Sequence, residues 1–192
     1  MIKIGIKKDR FWKKHVDKGV SLWIKGYFYS HSLGEIIQHC KSMDKDSIAS
    51  FVNSIDGHFA LVVQRDDMTI IAVDKIRSTP LFYTKVDDIF FIDSDPKSLV
   101  SKDNFKKEIK DDSILEISMS GYAIGNKTIY RGLHSLKAGE LIVFKNNSFE
   151  YKQYYKYFGD IEHKNYDTYL EELSEVTLNI FRKMLNQIGD RQ

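Results

Sequence analysis

Short apolar runs separated by turn residues fill the front of the chain. Isoleucine alternates with lysine and glycine over residues 2–7, which predicts a short strand with one buried face. Residues 20–29 form a second strand candidate, and apolar residues at helical spacing follow near 33–41 and 46–54. The front of the chain is therefore predicted to hold two strands followed by two short helices.

The centre of the chain is predicted to be rich in strands. The run from His58 to Gln64 is nearly continuous in apolar residues, as expected for a strand that is covered on both faces. Turn residues stand between successive runs, so these runs are predicted to pair as hairpins. The three predicted hairpins join 58–64 to 68–73 through Asp66 and Asp67, 81–84 to 89–92 through 85–88, and 140–144 to 148–151 through 145–147.

The end of the chain changes character. Between Tyr166 and Ile188 apolar residues recur at steps of three and four, which predicts one apolar stripe along a long helix. Gly189 then supplies a helix stop signal. The strands come first and one long helix comes last. This order predicts an α+β fold, with the beginning of a second domain attached at the end.

Composition adds few functional constraints. A chain of 192 residues fits one domain, or one domain plus a short piece of a second. The 29 Lys and Arg residues nearly balance 27 Asp and Glu residues, for a net charge of +2. Because no overall field then selects nucleic acid or an anionic membrane surface, we expect neither as a partner.

Cysteine and histidine usage point to a protein without disulfides or metals. Cys40 is the single cysteine, which excludes an internal disulfide and fits a reducing compartment. The start has no apolar run suited to a signal peptide, and no apolar run reaches the roughly 18 residues of a membrane span, so we expect a soluble, cytoplasmic protein. No metal site is expected, since the histidines show no ligand spacing. They stand at positions 15, 31, 39, 58, 134 and 163.

Four segments carry a resemblance to a known family. They read Ile-Asp-Gly-His-Phe-Ala-Leu at 55–61, Asp-Lys-Ile-Arg-Ser-Thr-Pro-Leu-Phe-Tyr at 74–83, Ser-Asp-Pro-Lys-Ser-Leu at 94–99, and Thr-Ile-Tyr-Arg-Gly-Leu at 128–133 followed by Leu-Lys-Ala-Gly at 136–139. In order and spacing they resemble the N-terminal class II glutamine amidotransferase domain of the asparagine synthetase family. The resemblance implies the αββα sandwich of Ntn hydrolases, with two mainly antiparallel sheets, here shortened and ending in a helix.

The departures from the family pattern cluster at its active site. Family enzymes use the thiol of an N-terminal cysteine as nucleophile, whereas this sequence begins with Met1 and Ile2. Lys25 stands where an oxyanion-binding asparagine is expected, and Tyr27 where an acidic residue is expected, while Gly26 is kept. The strand that bears the glutamine-binding arginine is also expected to be missing. We therefore expect no catalytic residue, and the candidate ligand-binding residues of a remnant pocket are Lys25, Gly26 and Tyr27.

The resemblance also predicts a division near residue 160. Residues 1–160 would form a degenerate glutaminase-like domain, and 161–192 a helix that leads into an absent synthetase domain. The Ser-Gly-Gly-x-Asp-Ser loop that holds ATP in the family does not occur in this sequence. No cofactor is therefore expected in this chain, and ATP and Mg²⁺ are expected in the absent domain alone. The expected partners are a synthetase domain in cis and, as a further option, a second copy of the chain.

Three functions stay open at this point. The first is a non-catalytic domain that scaffolds or dimerises an asparagine-synthetase-like ATP-dependent amidotransferase. The alternative is a stand-alone regulatory or binding module for a small anionic ligand or a protein partner, with Lys25 as the cation. The third is an active amidase that uses Cys40. Because Cys40 shares a helical face with Ile36 and Ile37, we expect a buried core thiol instead.

Overall fold

The structure is a computed structural model that describes residues 1–42, 44, 47–65, 67–159 and 164–189. The protein chain divides into two compact units, Met1–Lys156 and Tyr157–Gln192. The assignment of residues 1–160 and 161–192 to a glutaminase-like domain and a synthetase-leading helix stays a prediction.

The first unit contains ten strands and four helices in its described part. Its elements in chain order are β1 (Ile2–Ile4), β2 (Lys13–Asp17), β3 (Val20–Phe28), α1 (Leu33–Ser42), α2 (Ser47–Ser54), β4 (Gly57–Gln64), β5 (Met68–Val73), β6 (Phe82–Val86), β7 (Ile89–Asp93), α3 (Pro96–Val100), α4 (Asp111–Ser120), β8 (Leu133–Ser135), β9 (Glu140–Lys145) and β10 (Ser148–Gln153).

The strands form two sheets. The larger sheet has six strands in the order β10-β9-β5-β4-β3-β2, and all of its neighbours pair antiparallel. The smaller sheet has four strands in the order β1-β7-β6-β8. Its β1 and β7 pair parallel, and its other neighbours pair antiparallel.

One hydrophobic cluster fills the space between the two sheets. Side chains along a strand alternate between its faces, so every second residue of β4 and β5 contributes to this cluster. Leu81 and Leu136, which lie just outside the strands, are fully buried in it. The other buried members are Ile6, Trp12, Trp23, Ala60, Val62, Ile71, Val73, Tyr83, Phe90, Ile92 and Ile142.

A second cluster lies on the outer face of the six-stranded sheet. There α1 and α2 cover the remaining positions of β3, β4, β5 and β9 through Ile36, Cys40, Ile48, Ala49 and Val52. Because both faces of β4 and β5 are covered, all their central residues are buried. This explains the continuous apolar runs in the sequence.

Helix α3 lies against the four-stranded sheet, with contacts to β6, β7 and β8. Asp95 caps it by accepting a 2.9 Å hydrogen bond from the Lys97 N–H, and Pro96 is its first residue. The expected fold class is thus confirmed: a mixed α+β sandwich with two mainly antiparallel sheets between helices.

Two hairpin turns place non-glycine residues at positive φ. Asp87 and Asp88 join β6 to β7 at φ 49° and 60°, and Asn146 and Asn147 join β9 to β10 at 51° and 59°. Such two-residue turns match strand twist, and Asp and Asn tolerate them. The predicted turn at 85–88 is corrected accordingly, since β6 continues through Val86. The predicted Asp66 turn lies outside the described residues.

The second unit consists of α5 (Tyr166–Ile188) and the residues that flank it. Asn165 caps its start by accepting a 2.8 Å hydrogen bond from the Thr168 N–H, and Gly189 ends it at φ 56°. The helix predicted at 166–188 is therefore confirmed. No helix among the described residues is long and apolar enough to cross a membrane. The large apolar side chains of α5 that are exposed are Tyr166, Tyr169, Leu170, Leu173, Val176, Leu178, Ile180, Phe181, Met184, Leu185 and Ile188.

Candidate functional site at the end of strand β3

The three candidate residues Lys25, Gly26 and Tyr27 lie in the last part of β3. The first part of β3 pairs with β2 on one side and β4 on the other, but the pairing with β2 stops at Ile24. From Lys25 onwards the strand pairs with β4 alone among the described residues. The candidate segment is therefore the accessible edge of an otherwise covered strand.

Gly26 allows β3 and β4 to approach each other closely. Its φ is 135°, and a Cβ at this position would lie 1.9 Å from the His58 carbonyl oxygen. On the facing strand, a Cβ at Gly57 would lie 2.2 Å from the Tyr27 carbonyl oxygen. Glycine is needed at both positions, since any other residue would push the strands apart. This packing gives Gly26 a structural role.

Lys25 lies at the margin of the space between the sheets. It is two residues from the buried Trp23 and pairs with Ala60, so it points to the same face of the sheet. Its ammonium group is 5.3 Å from the centre of the Phe11 ring, a cation–π contact. The described part of the chain places no carboxylate within salt-bridge distance of this ammonium group.

The segment before β2 carries an acidic group close to Lys25. Asp9 accepts hydrogen bonds from the N–H groups of Phe11 at 2.7 Å and Trp12 at 2.6 Å. The hydrogen bond from Trp12 and then that from Phe11 lower the pKa of Asp9, and the Lys25 charge adds to them. Asp9 therefore fixes the backbone of the turn that carries Phe11, whose ring contacts Lys25.

Tyr27 is exposed to 71%. It pairs with His58 across the two strands, and the His58 ring meets Tyr29 edge-on at 6.1 Å. A phenol, an imidazole and an ammonium group thus stand along one strand end. They can offer hydrogen bonds and a positive charge to a small polar ligand.

A buried carboxylate, Asp74, organises the loop beside this strand end. It is 1% exposed and accepts hydrogen bonds from the N–H groups of Phe59 at 3.0 Å and Ile76 at 2.9 Å. The N–H and hydroxyl groups of Ser78 also donate to it. The sequence resemblance singled out 74–83 without a role for Asp74. Its role in the structure is to shape the turn from β5 to β6.

A serine–histidine contact follows the candidate segment and was missed by the sequence reasoning. The Ser30 hydroxyl lies 2.8 Å from His31 Nδ1 and 3.2 Å from the Ser54 carbonyl oxygen, and it accepts a 2.8 Å hydrogen bond from the Asp56 N–H. These backbone contacts tie the end of β3 to the connection between α2 and β4. Ser30 and His31 are adjacent in the sequence and match no catalytic motif, so the sequence did not predict this contact.

A family model described as a glutamine amidotransferase domain matches residues 24–155. The chain belongs to this family. The match begins one residue before Lys25 and includes the strand end, the Asp74 loop and most of both sheets. The class of the resemblance is therefore confirmed, whereas membership of the asparagine synthetase family stays a prediction.

Two solved structures are similar to the glutamine amidotransferase domain. Glutamine phosphoribosylpyrophosphate amidotransferase from B. subtilis, in complex with ADP and GMP, is 14% identical with a TM-score of 0.48, over 77% of this chain and 32% of that one. The structure titled as the allosteric regulatory enzyme of purine biosynthesis is 12% identical with a TM-score of 0.43, over 73% and 30%. The chain thus spans about a third of either solved chain. No curated protein matches it.

Cys40 lies away from the strand end of the amidotransferase domain. It is 1% exposed in the cluster between α1, α2 and the outer face of the sheet, which confirms that it is a core residue. Burial raises the pKa of its thiol to about 12. The neighbouring His39 stacks on Phe51 at 4.5 Å. Cys40 therefore has neither the exposure nor the ionisation that a nucleophile requires.

Met1 and Ile2 lie at the opposite end of the larger sheet from Gly26. The Met1 amino group donates a 2.9 Å hydrogen bond to Asn147 Oδ1, in the turn between β9 and β10. Ile2 borders the same cleft as Gln64, the last residue of β4, whereas Gly26 pairs with Phe59 near its start. Five residues of strand at about 3.4 Å each separate these positions, which gives roughly 17 Å. Met1 and Ile2 therefore lie away from the candidate residues Lys25, Gly26 and Tyr27.

Two cavities of the amidotransferase domain lie away from the candidate segment. One of 340 Å³ borders β6 and the residues around Asn104, Arg131 and Gly132. Another of 350 Å³ lies near Ile2 and Arg65. Neither is lined by the candidate segment. Among the described residues no three His, Cys, Asp or Glu side chains gather as metal ligands would.

Proposed function

We propose that this chain is a glutaminase-like domain that does not hydrolyse glutamine, and that it scaffolds or dimerises an asparagine-synthetase-like ATP-dependent amidotransferase. The observation that carries the proposal is at the end of β3. There the close backbone approach is kept by Gly26 and Gly57, while the side chains are a lysine and an exposed tyrosine. The glycines that the close strand pairing needs are thus present at this strand end, whereas Cys40 lies in the cluster on the other face of the sheet.

The positions of possible nucleophiles support the loss of hydrolysis. An acyl-transfer enzyme needs a nucleophile, a base and oxyanion donors within hydrogen-bonding reach of one atom. The one cysteine, Cys40, is buried on the opposite face of the sheet, and β1 offers Ile2, Lys3 and Ile4. Catalytic residues act as a unit, so an enzyme whose nucleophile lies away from its other catalytic groups loses most of the rate enhancement.

The exposed stripe of α5 supports attachment to a further domain. Among the described residues, eleven large apolar side chains of this one helix are exposed. A helix of this kind is stable in water chiefly when another element covers its apolar face. In the proposal, a synthetase domain in cis covers it and supplies the ATP and Mg²⁺ chemistry.

The hydrolysis part is tested by incubating the purified chain with glutamine and measuring ammonia release. We expect no release above that of the heat-denatured protein. The matched variant is Cys40→Ala, which should behave as the parent chain does. Ammonia release that persists in this variant contradicts the proposal. Release that disappears in it contradicts the proposal too and supports the Cys40 amidase.

One observation favours the alternative of an anion-binding module. Lys25 is half-buried, and the described part of the chain places no carboxylate within salt-bridge distance of its ammonium group, so its hydrogen-bond donors can meet a small anion. If this module exists, glutamate or phosphate raises the melting temperature of the chain and fails to do so after Lys25→Gln. Lys14→Gln is the control, because Lys14 also makes a cation–π contact, at 4.3 Å from the Trp23 ring.

A further inference from the structure

Strand β10 forms one edge of the six-stranded sheet. It is the last strand in the sheet order and pairs with β9 along all six of its residues, Ser148–Gln153. In the described part of the chain, its other side pairs with no strand. The register with β9 is unbroken, and the strand contains neither proline nor glycine. β10 therefore lacks the bulge or proline with which many edge strands prevent further pairing.

The other three strands at the ends of the two sheets are protected against further pairing. β1 and β8 are only three residues long. β2 begins with two exposed lysines, Lys13 and Lys14, and its Asp17 forms an ion pair with Lys41. Short strands and lysines are both common means of preventing contact between sheet edges. β10 is thus the terminal strand best suited to accept another strand.

The backbone groups of β10 that point away from β9 belong to Phe149, Tyr151 and Gln153. Just past the strand, the Tyr154 N–H donates a 2.9 Å hydrogen bond to the carbonyl oxygen of Gly139, the residue before β9. In an antiparallel pair, the backbone groups of successive residues point alternately towards and away from the neighbouring strand. The even-numbered residues of β10 therefore face β9, and the odd-numbered residues face the open edge.

The side chains of β10 carry a charge pattern that is complementary to itself. Glu150 and Lys152 are exposed on the same face of the sheet, the one on which Val143 of the outer cluster lies. Tyr151 stands between them on the opposite face and is 50% exposed, with its ring 6.1 Å from the Tyr83 ring. When the strand is laid antiparallel to itself about Tyr151, each glutamate falls opposite a lysine.

We propose that β10 pairs with β10 of a second copy of this chain, antiparallel and around a two-fold axis at Tyr151. Phe149 then lies opposite Gln153 of the second copy, and Tyr151 lies opposite its own counterpart. About six backbone hydrogen bonds form, because each pair of facing outward residues exchanges two. Glu150 lies opposite Lys152 of the second copy in a pair without backbone hydrogen bonds, where Cα atoms come closest, at about 4.5 Å. Opposite charges so placed stabilise the pairing.

A second copy fits this edge better than a helix does. A helix uses its backbone N–H and C=O groups internally, so α5 could offer no backbone partners to the outward groups of β10. A two-fold interface brings each contact into being twice, and the Glu150 and Lys152 pattern meets that condition. A parallel pairing in register would instead set like charges opposite each other. The proposal uses residues of the first unit alone and does not depend on the proposed function.

The test is the mass of the full chain in solution, measured by sedimentation equilibrium over a range of concentrations. Contact along one strand is smaller than a standard interface, so we expect the parent chain to approach twice 22.4 kDa only as its concentration rises. Glu150→Lys sets two lysines opposite each other, and Lys152→Glu sets two glutamates opposite each other. Each variant alone should therefore stay at the single-chain mass. An equimolar mixture of the two variants restores opposite charges and should form the dimer again.

Two controls separate the β10 edge from other surfaces. Lys13→Glu reverses an exposed charge on β2, at the opposite edge of the same sheet, and should still dimerise. Leu173→Glu adds a charge on α5, where the parent side chain is 64% exposed, and should dimerise too. All variants should keep the circular dichroism spectrum of the parent chain, since each substituted side chain is exposed.

Four results overturn the proposal. The first is a parent chain that is monomeric at every concentration, and the second is a dimer that survives both charge reversals on β10. The third is a mixture of the two reversed variants that stays monomeric. The fourth is a dimer that Leu173→Glu dissociates, because α5 and not β10 would then hold the two copies together.

Discussion

Gly26 shows how one residue of a functional motif can be kept for packing. A φ of 135° and the 1.9 Å approach that a Cβ would make to the His58 carbonyl oxygen both require glycine. Neither constraint involves a ligand. The pairing of β3 with β4 therefore needs this glycine whether or not the domain binds glutamine.

Gly26→Ala is predicted to destabilise the domain by about 3 kcal/mol or more, because the strands must separate to admit the methyl group. The measurement is the free energy of unfolding by urea. Gly132→Ala is the control: its φ is 82°, and no atom lies within 4 Å of the place that its methyl group would take. The control should lose about 1 kcal/mol, the cost of a left-handed backbone alone. Equal losses in the two variants would contradict the close-approach argument.

At the scale of elements, α1 and α2 are held by burial, whereas an ionic clamp ties α4 to the loop after it, since the Lys127 ammonium group pairs with Asp112 at 3.2 Å and with Glu116. The ionic clamp lowers the pKa values of Asp112 and Glu116 and raises that of Lys127, chiefly through their mutual hydrogen bonds. Carboxyl groups with lowered pKa values stabilise the folded state fully above their ordinary values of 3.8 and 4.5. This contribution is lost as the pH falls through the lowered values.

Lys127→Met is therefore predicted to destabilise the chain at pH 7 and to have a smaller effect once the pH falls below the lowered pKa values of Asp112 and Glu116, where both carboxylates take up protons in either variant. Urea unfolding at several pH values measures the difference between parent and variant. Lys85→Met is the control, because Lys85 pairs with Asp88 at 2.7 Å on an exposed turn and such pairs contribute little. A loss for Lys127→Met that does not change with pH would show that the clamp is not ionic.

At the scale of the whole molecule, the chain spans about a third of either solved chain to which it is similar. The proposed synthetase partner predicts that the polypeptide made from the native gene is heavier than 22.4 kDa. Intact mass spectrometry of the protein isolated from its source measures this directly. A native mass equal to that of this chain would contradict a synthetase domain in cis and favour the stand-alone module.

Local sequence pattern was sufficient to predict most of the strands and helices. The runs at 58–64 and 68–73 predicted β4 and β5 because both faces of these strands are buried, which leaves a continuous apolar pattern. The stripe at 166–188 predicted α5 because helical periodicity is local. Strands β2 and β8 were not predicted, because both are short strands at the edges of their sheets and carry little apolar pattern.

The sequence did not predict which residues distant from each other along the chain come together; only the tertiary structure shows this. The sequence placed the candidate pocket at Lys25, Gly26 and Tyr27 but did not predict where Met1 and Ile2 lie, and strand direction puts them at the far end of the larger sheet. The ion pairs of α4 likewise join residues that are distant in sequence, because Lys127 lies outside the helix and pairs with Asp112 and Glu116. Local pattern sets the elements, whereas the placement of distant residues depends on pairing and charge contacts that periodicity does not encode.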